Sequence, residues 1–142
     1  MSDVDSIREV LRALAEVRDG PFKSLHTDLT YRIQRPLPQI NFRIYQVADS
    51  KEAYLVVGVS ATRPDGEEVS WSLSIETSAG SLIVTAAVEV SYEQGYRQVF
   101  ERSESTTDSR QAASLIHAYA VEVCRERRWF EDTNESTTEE RA

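Results

Sequence analysis

Apolar and polar residues alternate along much of the chain between residues 29 and 100. The clearest run is 69–75, where every second residue is large and apolar and every residue between is a serine. A period of two residues is typical of a β-strand that buries one face and exposes the other. The pattern therefore predicts a sheet with one apolar face and one polar face rich in serine.

Turn residues divide this region into short segments. Alternating runs cover 29–33, 39–47, 53–61, 68–77, 82–92 and 96–102. The sequence Arg63-Pro64-Asp65-Gly66 is the strongest turn signal, because proline presets the backbone for a tight turn and glycine tolerates a positive φ after it. Tight connections favour antiparallel neighbours, so we predict an antiparallel meander of five or six strands.

Amphipathic helices are predicted before and after the sheet region. In 4–17 the apolar residues recur every three or four positions, and Gly20-Pro21 predicts a stop, followed by a linker over 21–27. A longer helix is predicted over 109–128, after capping residues at 105–108. Because two amphipathic helices need an apolar surface to cover, the predicted fold is α+β, with both helices packed on one sheet face.

Length and charge define the expected domain organisation. With 142 residues, the chain has the size of one ordinary domain. The last twelve residues, 131–142, contain five acids and one arginine, and 131–138 has no apolar residue. We predict one α+β domain over 1–130 and a disordered acidic tail over 131–142.

Composition narrows the function classes. Hydrophobic residues make up 40% and charged residues 28% of the chain, as in soluble globular proteins, and the first residues lack the pattern of a secretory signal. We therefore expect a cytoplasmic protein that does not enter a membrane. A net charge of −8 without a basic stripe disfavours nucleic-acid binding and permits a basic protein partner. Nucleic-acid binding would need Arg32, Arg35 and Arg43 to align with the arginines of 125–128, and it ranks last.

Residues able to carry catalysis are few and dispersed. His26 lies in the predicted linker, and His117, in the last predicted helix, has Ala113 and Val121 one turn away rather than a metal ligand. The single cysteine, Cys124, falls among apolar residues, which indicates a small buried side chain rather than a reactive thiol. We predict no catalytic residue, no cofactor and no metal site, and an enzyme is less expected than a binding protein.

Two residues leave alternatives open. Gly58, inside an apolar strand segment, indicates a bulge, a bend that serves packing, or a place where a partner or a helix approaches the backbone closely. Glu89 interrupts the less polar face of the strand at 82–92. It marks either the point where this face reaches water or a buried carboxylate that needs a partner such as Arg97.

The polar face of the sheet is the candidate partner surface. Serines at alternate positions make one strand small and flat there, and neighbouring strands add larger groups beside it. Tyrosine next to small residues suits protein recognition, because it offers contact area and a hydroxyl at low entropic cost. The predicted surface comprises Tyr45, Tyr54, Val56, Ser70, Ser72, Ser74, Ile83 and Thr85.

Two hypotheses of function follow. In size, charge and element order the chain resembles small acidic secretion chaperones and the immunity proteins that neutralise basic toxins, although the middle helix of a secretion-chaperone fold has no counterpart in 54–102. The resemblance implies a protein-binding or adaptor domain that engages a protein partner or a second copy of itself. The alternative is a small-molecule binder or enzyme with a cavity between the sheet and the C-terminal helix, lined by Phe42, Trp71, Phe100 and Tyr119.

Overall fold

The computed structural model describes residues 3–32, 38–46, 53–63, 66–78, 80–92 and 95–126. Its helical elements are α1 (Asp3–Val17), a π-helical turn (Arg18–Phe22), α2 (Lys23–Arg32) and α3 (Ser109–Cys124). Its strands are β1 (Gln39–Gln46), β2 (Ala53–Thr62), β3 (Glu68–Ser78), β4 (Ser81–Tyr92) and β5 (Gly95–Thr106). The predicted α+β class is confirmed, because helices precede and follow an antiparallel sheet. The predicted turn at 49–51 and the predicted tail over 131–142 lie outside the described residues.

The sheet is a meander in which each strand pairs antiparallel with its neighbour along the chain, in the order β1-β2-β3-β4-β5. The strands β2 to β5 are 10 to 12 residues long and form the body of the sheet. The shorter β1, with 8 residues, pairs with β2 at one edge.

Alternation gives the sheet two different faces. In β3 the apolar residues Val69, Trp71, Leu73 and Ile75 are buried, and the serines between them are half-exposed, as predicted. We call the buried side the helix face and the opposite side the open face. The buried side chains of β2, β3 and β4 on the helix face join those of the helices in one hydrophobic core.

The segment after α1 differs from the prediction. The predicted stop at Gly20-Pro21, the linker over 21–27 and the strand that begins at Leu29 are wrong, because the chain continues through the π-helical turn into α2. Pro21 cannot donate a helical hydrogen bond, and the wider π-helical turn takes it up between two α-helical segments. Phe22, Leu25 and Leu29 recur at helical spacing and are all buried. Burial of this apolar stripe outweighs the local breaker.

The helices cover the helix face from two sides. The long helix α3 packs over β3, β4 and β5, whereas the π-helical turn and α2 lie against β1 and β2. The first helix, α1, contacts α3, and the Ser109 hydroxyl donates a hydrogen bond to Glu9 Oε2 at 2.9 Å. The sheet is therefore covered directly by α3, the π-helical turn and α2, whereas the predicted helix α1 packs on α3 and the π-helical turn.

The start of α3 is capped as its sequence predicts. The Asp108 carboxylate accepts a hydrogen bond from the Arg110 N–H at 2.9 Å, and the Asp108 N–H donates to Thr106 Oγ1 at 3.1 Å. Beyond the other end of α3, the indole N–H of Trp71 donates to the Glu126 carbonyl at 2.6 Å. Both ends of the helix are thus fixed to strands of the sheet.

Candidate protein-binding surface

Strand pairing brings the predicted partner-surface residues together on the open face. Residues directly opposite one another in an antiparallel sheet lie on the same face, so each set of opposite residues forms a row across the strands. Tyr45 is assigned to this face only by the pairing of its backbone in β1 with Tyr54. From β1 to β5, the rows are Tyr45-Tyr54-Glu76-Ile83-Ser105, Arg43-Val56-Ser74-Thr85-Ser103, Asn41-Gly58-Ser72-Ala87-Glu101 and Gln39-Ser60-Ser70-Glu89-Gln98.

The centre of the open face is a floor of small residues. Gly58, Ser72 and Ala87 lie opposite one another on β2, β3 and β4. A Cβ atom built on Gly58 would lie 2.6 Å from the Trp71 carbonyl oxygen, and the register of β2 runs through this position without a shift. The structure therefore shows no bulge at Gly58, and the atoms closest to this position belong to the backbone of the paired strand β3 rather than to a helix. No large side chain projects from these three residues, of which Ser72 is partly exposed and Gly58 and Ala87 are buried.

Hydroxyl groups form a connected line beside this floor. The Thr85 and Ser103 hydroxyl oxygens are 3.0 Å apart, and the Ser74 hydroxyl donates to the Thr85 carbonyl at 3.5 Å. These contacts link Ser74, Thr85 and Ser103 across β3, β4 and β5 and leave hydroxyl donors and acceptors on the open face.

Larger groups lie at one border of the floor. Ile83 is half-exposed, and Tyr54 keeps 36% of its surface accessible. Both lie directly opposite Glu76 of β3, Tyr54 on β2 and Ile83 on β4. An aromatic ring beside a small polar floor offers apolar contact area at the border of an otherwise hydrophilic surface.

Carboxylates distinguish the open face most clearly. The strands β2 to β5 place Glu68, Glu76, Glu89 and Glu101 on this face, here called the open-face glutamates, and they place no lysine or arginine on it. The one arginine position on this side in the described backbone is Arg43, in the edge strand β1.

The open-face glutamates of three successive strands form a diagonal stripe. Glu68 lies opposite Ser91, two residues from Glu89, and Glu101 lies opposite Ala87, again two residues from Glu89. Diagonal neighbours in an antiparallel sheet are about 7–8 Å apart, close enough for their fields to add. The stripe therefore attracts a cation more strongly than one carboxylate does.

Glu89 lies in the middle of this stripe and is half-buried. Its opposite residue on β5 is Gln98, whereas Arg97 lies opposite Val90 and thus on the helix face. The register therefore does not bring Arg97 to the carboxylate of Glu89. Of the two interpretations, the one in which Glu89 marks the solvent boundary of this face agrees with its partial exposure.

Sequence reasoning missed the contribution of β5. Ser103, Ser105 and Glu101 complete three rows of the open face, yet none was predicted. The strand is exposed on both faces over 101–105, so its sequence contains no apolar alternation that separates the faces. The register carried across the turn from β4 to β5 was the one signal that could have placed these residues. A β-bulge at Val88/Glu89 shifts that register.

The dispersed histidines and the cysteine form no reactive cluster in the described part of the chain. The His26 Nε2 atom is 3.0 Å from the Pro38 carbonyl oxygen, which connects α2 with the start of β1. His117 is exposed on α3, and Cys124 is buried at its end. Among the described residues, no group of three or more histidines, cysteines or carboxylates has a geometry able to hold a metal ion.

The space between the sheet and α3, which the alternative function requires, is occupied by side chains. Trp71, Ile116 and Ala120 have no solvent-accessible surface, and the Trp71 indole is held by its hydrogen bond to Glu126. Phe100 and Tyr119 are partly buried against the same core. These residues act as core. The side chain of Phe42 lies outside the described residues.

Comparison with known proteins gives this surface no assigned role, because no family model and no curated protein sequence matches the chain. Across the residues that the structure describes, none of the helices has the length and apolar character needed to span a lipid bilayer.

Proposed function

We propose that this chain is a protein-binding or adaptor domain, chaperone-like or immunity-like, which holds a basic protein partner on its open face. The observation that carries the proposal is the set of carboxylates on the open face. The strands β2 to β5 place the open-face glutamates and no lysine or arginine there, whereas the helix face of β5 carries both signs of charge, Arg97, Arg102 and Glu104. Complementary potentials of this kind steer association and select the partner.

The shape of the open face suits the side chains of such a partner. Lysine and arginine carry their charge on long apolar stems, which lie flat along a smooth surface while the head group reaches a carboxylate. The floor of Gly58, Ser72 and Ala87 has no long side chain of its own, Glu101 lies directly opposite Ala87, and Glu89 is two residues from Ala87 on β4. Nucleic acid is disfavoured on this face because its phosphates are repelled by the same glutamates.

A charge-matched pair of variants tests the proposal. Glu101→Gln removes a carboxylate from the open face, and Glu16→Gln removes a carboxylate that is also exposed, from α1. The wild-type chain and both variants are immobilised in parallel, incubated with lysate from the native cell, and analysed by mass spectrometry. The proposal expects a basic protein that is retained by the wild type and by Glu16→Gln and is reduced by Glu101→Gln.

Steric occlusion provides an independent arm of the same experiment. Ser72→Arg places a long cation on the floor and is expected to abolish retention of that protein. Thermal unfolding followed by circular dichroism verifies that each variant remains folded. Equal retention by the wild type and folded Ser72→Arg contradicts the proposal, as does a captured protein that is acidic. Added salt should weaken the complex, because the contacting charges are exposed to solvent.

No observation in the described residues supports the small-molecule alternative, since Trp71 has no accessible surface and Phe100 and Tyr119 pack partly against the core. The proposal retains the cytoplasmic setting expected from the sequence. Fluorescence microscopy of the tagged full chain in its native cell tests that location separately from partner binding.

A further inference from the structure

The outer side of β5 is an unpaired sheet edge within the described residues. β5 is the last strand in the sheet order, and its only strand neighbour there is β4. Side chains from Glu101 to Ser105 are exposed without interruption. The outer N–H and C=O groups of such a strand form a template for pairing with another strand.

The second half of this edge is regular. The β-bulge lies at Val88/Glu89, opposite the first half of β5, and from Phe100 to Thr106 each residue has one opposite residue on β4. Bulges and irregular ends commonly protect edges from pairing. That protection does not extend over 100–106, which is long enough to pair over its full length with a strand of the same kind.

The charges of this segment complement themselves in one register. If two copies of β5 pair antiparallel about a twofold axis at Ser103, Arg102 of each copy lies opposite Glu104 of the other. Glu101 then faces Ser105, and Phe100 faces Thr106. Moving the axis by one residue places Arg102 or Glu104 opposite its own copy, which sets like charges against each other. Charge therefore selects the register centred on Ser103.

The helix α3 already holds one member of this pair in place. Arg102 Nε donates to Glu122 Oε1 at 2.8 Å, which positions the guanidinium on the helix side of the strand. The terminal nitrogens carry the remaining donors of the guanidinium group. They are the atoms suited to contact a carboxylate on a strand added outside β5.

We propose that the chain forms a twofold homodimer in which β5 pairs antiparallel with β5 of a second copy, centred on Ser103. The contact continues the sheet of each copy through the outer backbone edge of β5, whereas the open-face proposal uses the side chains that β5 presents on one face, such as Glu101. An extended segment of another protein is the competing occupant of the same edge, but it has no reason to match Arg102 and Glu104 in this twofold register.

Charge reversal tests the dimer in the full chain. Sedimentation equilibrium over a concentration series should give the wild type twice the chain mass of 16.1 kDa. Arg102→Glu or Glu104→Arg alone sets like charges opposite each other twice and should shift the mass toward the monomer. The combined variant Arg102→Glu/Glu104→Arg restores opposite charges and should restore the dimer. Thermal unfolding by circular dichroism verifies that the variants fold, since Arg102→Glu also removes the exposed contact with Glu122.

Cross-linking tests the register directly. Ser103→Cys places two thiols opposite each other at the axis, where opposite Cβ atoms are about 4.5–5.5 Å apart, near disulfide range. Ser105→Cys is the matched control, because in this register it faces Glu101 and not its own copy. Non-reducing electrophoresis should show a covalent dimer for Ser103→Cys alone, and the native Cys124 is buried.

Several outcomes overturn the dimer. If the wild type stays monomeric at all concentrations, another protein and not a second copy pairs with β5. The same conclusion follows if the β5 amides are protected from hydrogen exchange only when a partner is added. If Arg102→Glu does not weaken the dimer, or if Ser103→Cys and Ser105→Cys cross-link equally, the two copies contact each other at a different surface. None of these outcomes alters the Glu101→Gln test, so failure of the dimer and failure of the open-face proposal are distinguishable.

Discussion

Gly58→Ala gives the sharpest test of how the floor of the open face is built. Glycine to alanine at an unstrained position stabilises a protein by about 0.4–1 kcal/mol, because it reduces the freedom of the unfolded chain. At Gly58 the new Cβ would lie 2.6 Å from the Trp71 carbonyl oxygen and 3.4 Å from the Ser72 Cα. Both atoms belong to the backbone of β3, so no side-chain rotation relieves the contact.

The magnitude follows from the balance of these two effects. Forcing an extra carbon into a packed site costs about 1–3 kcal/mol. After subtraction of the entropic gain, Gly58→Ala should lower the free energy of unfolding by about 1–2 kcal/mol. For a chain of this size the melting temperature should fall by about 3–6 °C.

Urea unfolding followed by circular dichroism measures the effect. The midpoint should fall while the dependence of free energy on urea stays constant, because the unfolded surface does not change. Ser60→Ala is the matched control, since Ser60 lies two residues from Gly58 on the same face of β2 and is half-exposed. It should change the free energy of unfolding by no more than about 0.5 kcal/mol. A Gly58→Ala protein as stable as the wild type would refute the proposed contact between β2 and β3.

Other predictions concern the contacts that hold the helices. Trp71→Phe removes a buried hydrogen bond and part of the core, so the free energy of unfolding should fall by about 2–3 kcal/mol in urea titration. Ser109→Ala should cost about 1–2 kcal/mol by the same assay, whereas Ser114→Ala, exposed on the same helix, should stay within about 0.5 kcal/mol. The hydrogen bond from Arg18 lowers the pKa of the Asp19 carboxyl, so the stabilisation it gives is present above the ordinary pKa and lost as pH falls through the lowered one. Arg18→Gln should raise that pKa toward its ordinary value in a carboxyl NMR titration, and an unchanged pKa contradicts the pairing.

The strand pattern could be predicted because burial and local sequence agree there. In β3, Trp71 and its alternate neighbours face the core while serines face out, and the resulting period is visible without any tertiary information. The capping of α3 by Asp108 was predictable for the same reason, since it depends on adjacent residues.

The helix α2 was not predictable from its local signals. Gly20-Pro21 is a strong helix breaker, and the alternation after Leu29 resembles a strand. What overrides both is tertiary: Phe22, Leu25 and Leu29 are buried together under the first strands. Their spacing of three and four residues is that of a helix, but the proline before them predicted that the helix ends.

The acidic stripe on the open face depends on a feature that the sequence does not show. Counting back from the turn at Tyr92 and Gly95 without a bulge places Phe100 opposite Ala87 and turns it outward. The β-bulge at Val88/Glu89 shifts the register by one residue, so that Phe100 lies opposite Val88 and Glu101 lies opposite Ala87. One extra residue thus turns an aromatic ring toward the helix face and a carboxylate toward the open face. The aromatic character of Phe100 was the only sequence signal for this inversion.

If both proposals hold, dimerisation through β5 changes how strongly a partner binds the open face. Opposite residues of paired strands share a face, so pairing β5 with β5 places both open faces on one side of a continuous sheet. A partner long enough to cross the axis then contacts both copies and gains from the high effective concentration of the second face. Arg102→Glu, which lies on the helix face, should weaken binding of such a partner solely by splitting the dimer, and Arg102→Glu/Glu104→Arg should restore it. A partner with equal affinity for wild type and Arg102→Glu, measured by isothermal titration calorimetry, binds one copy alone.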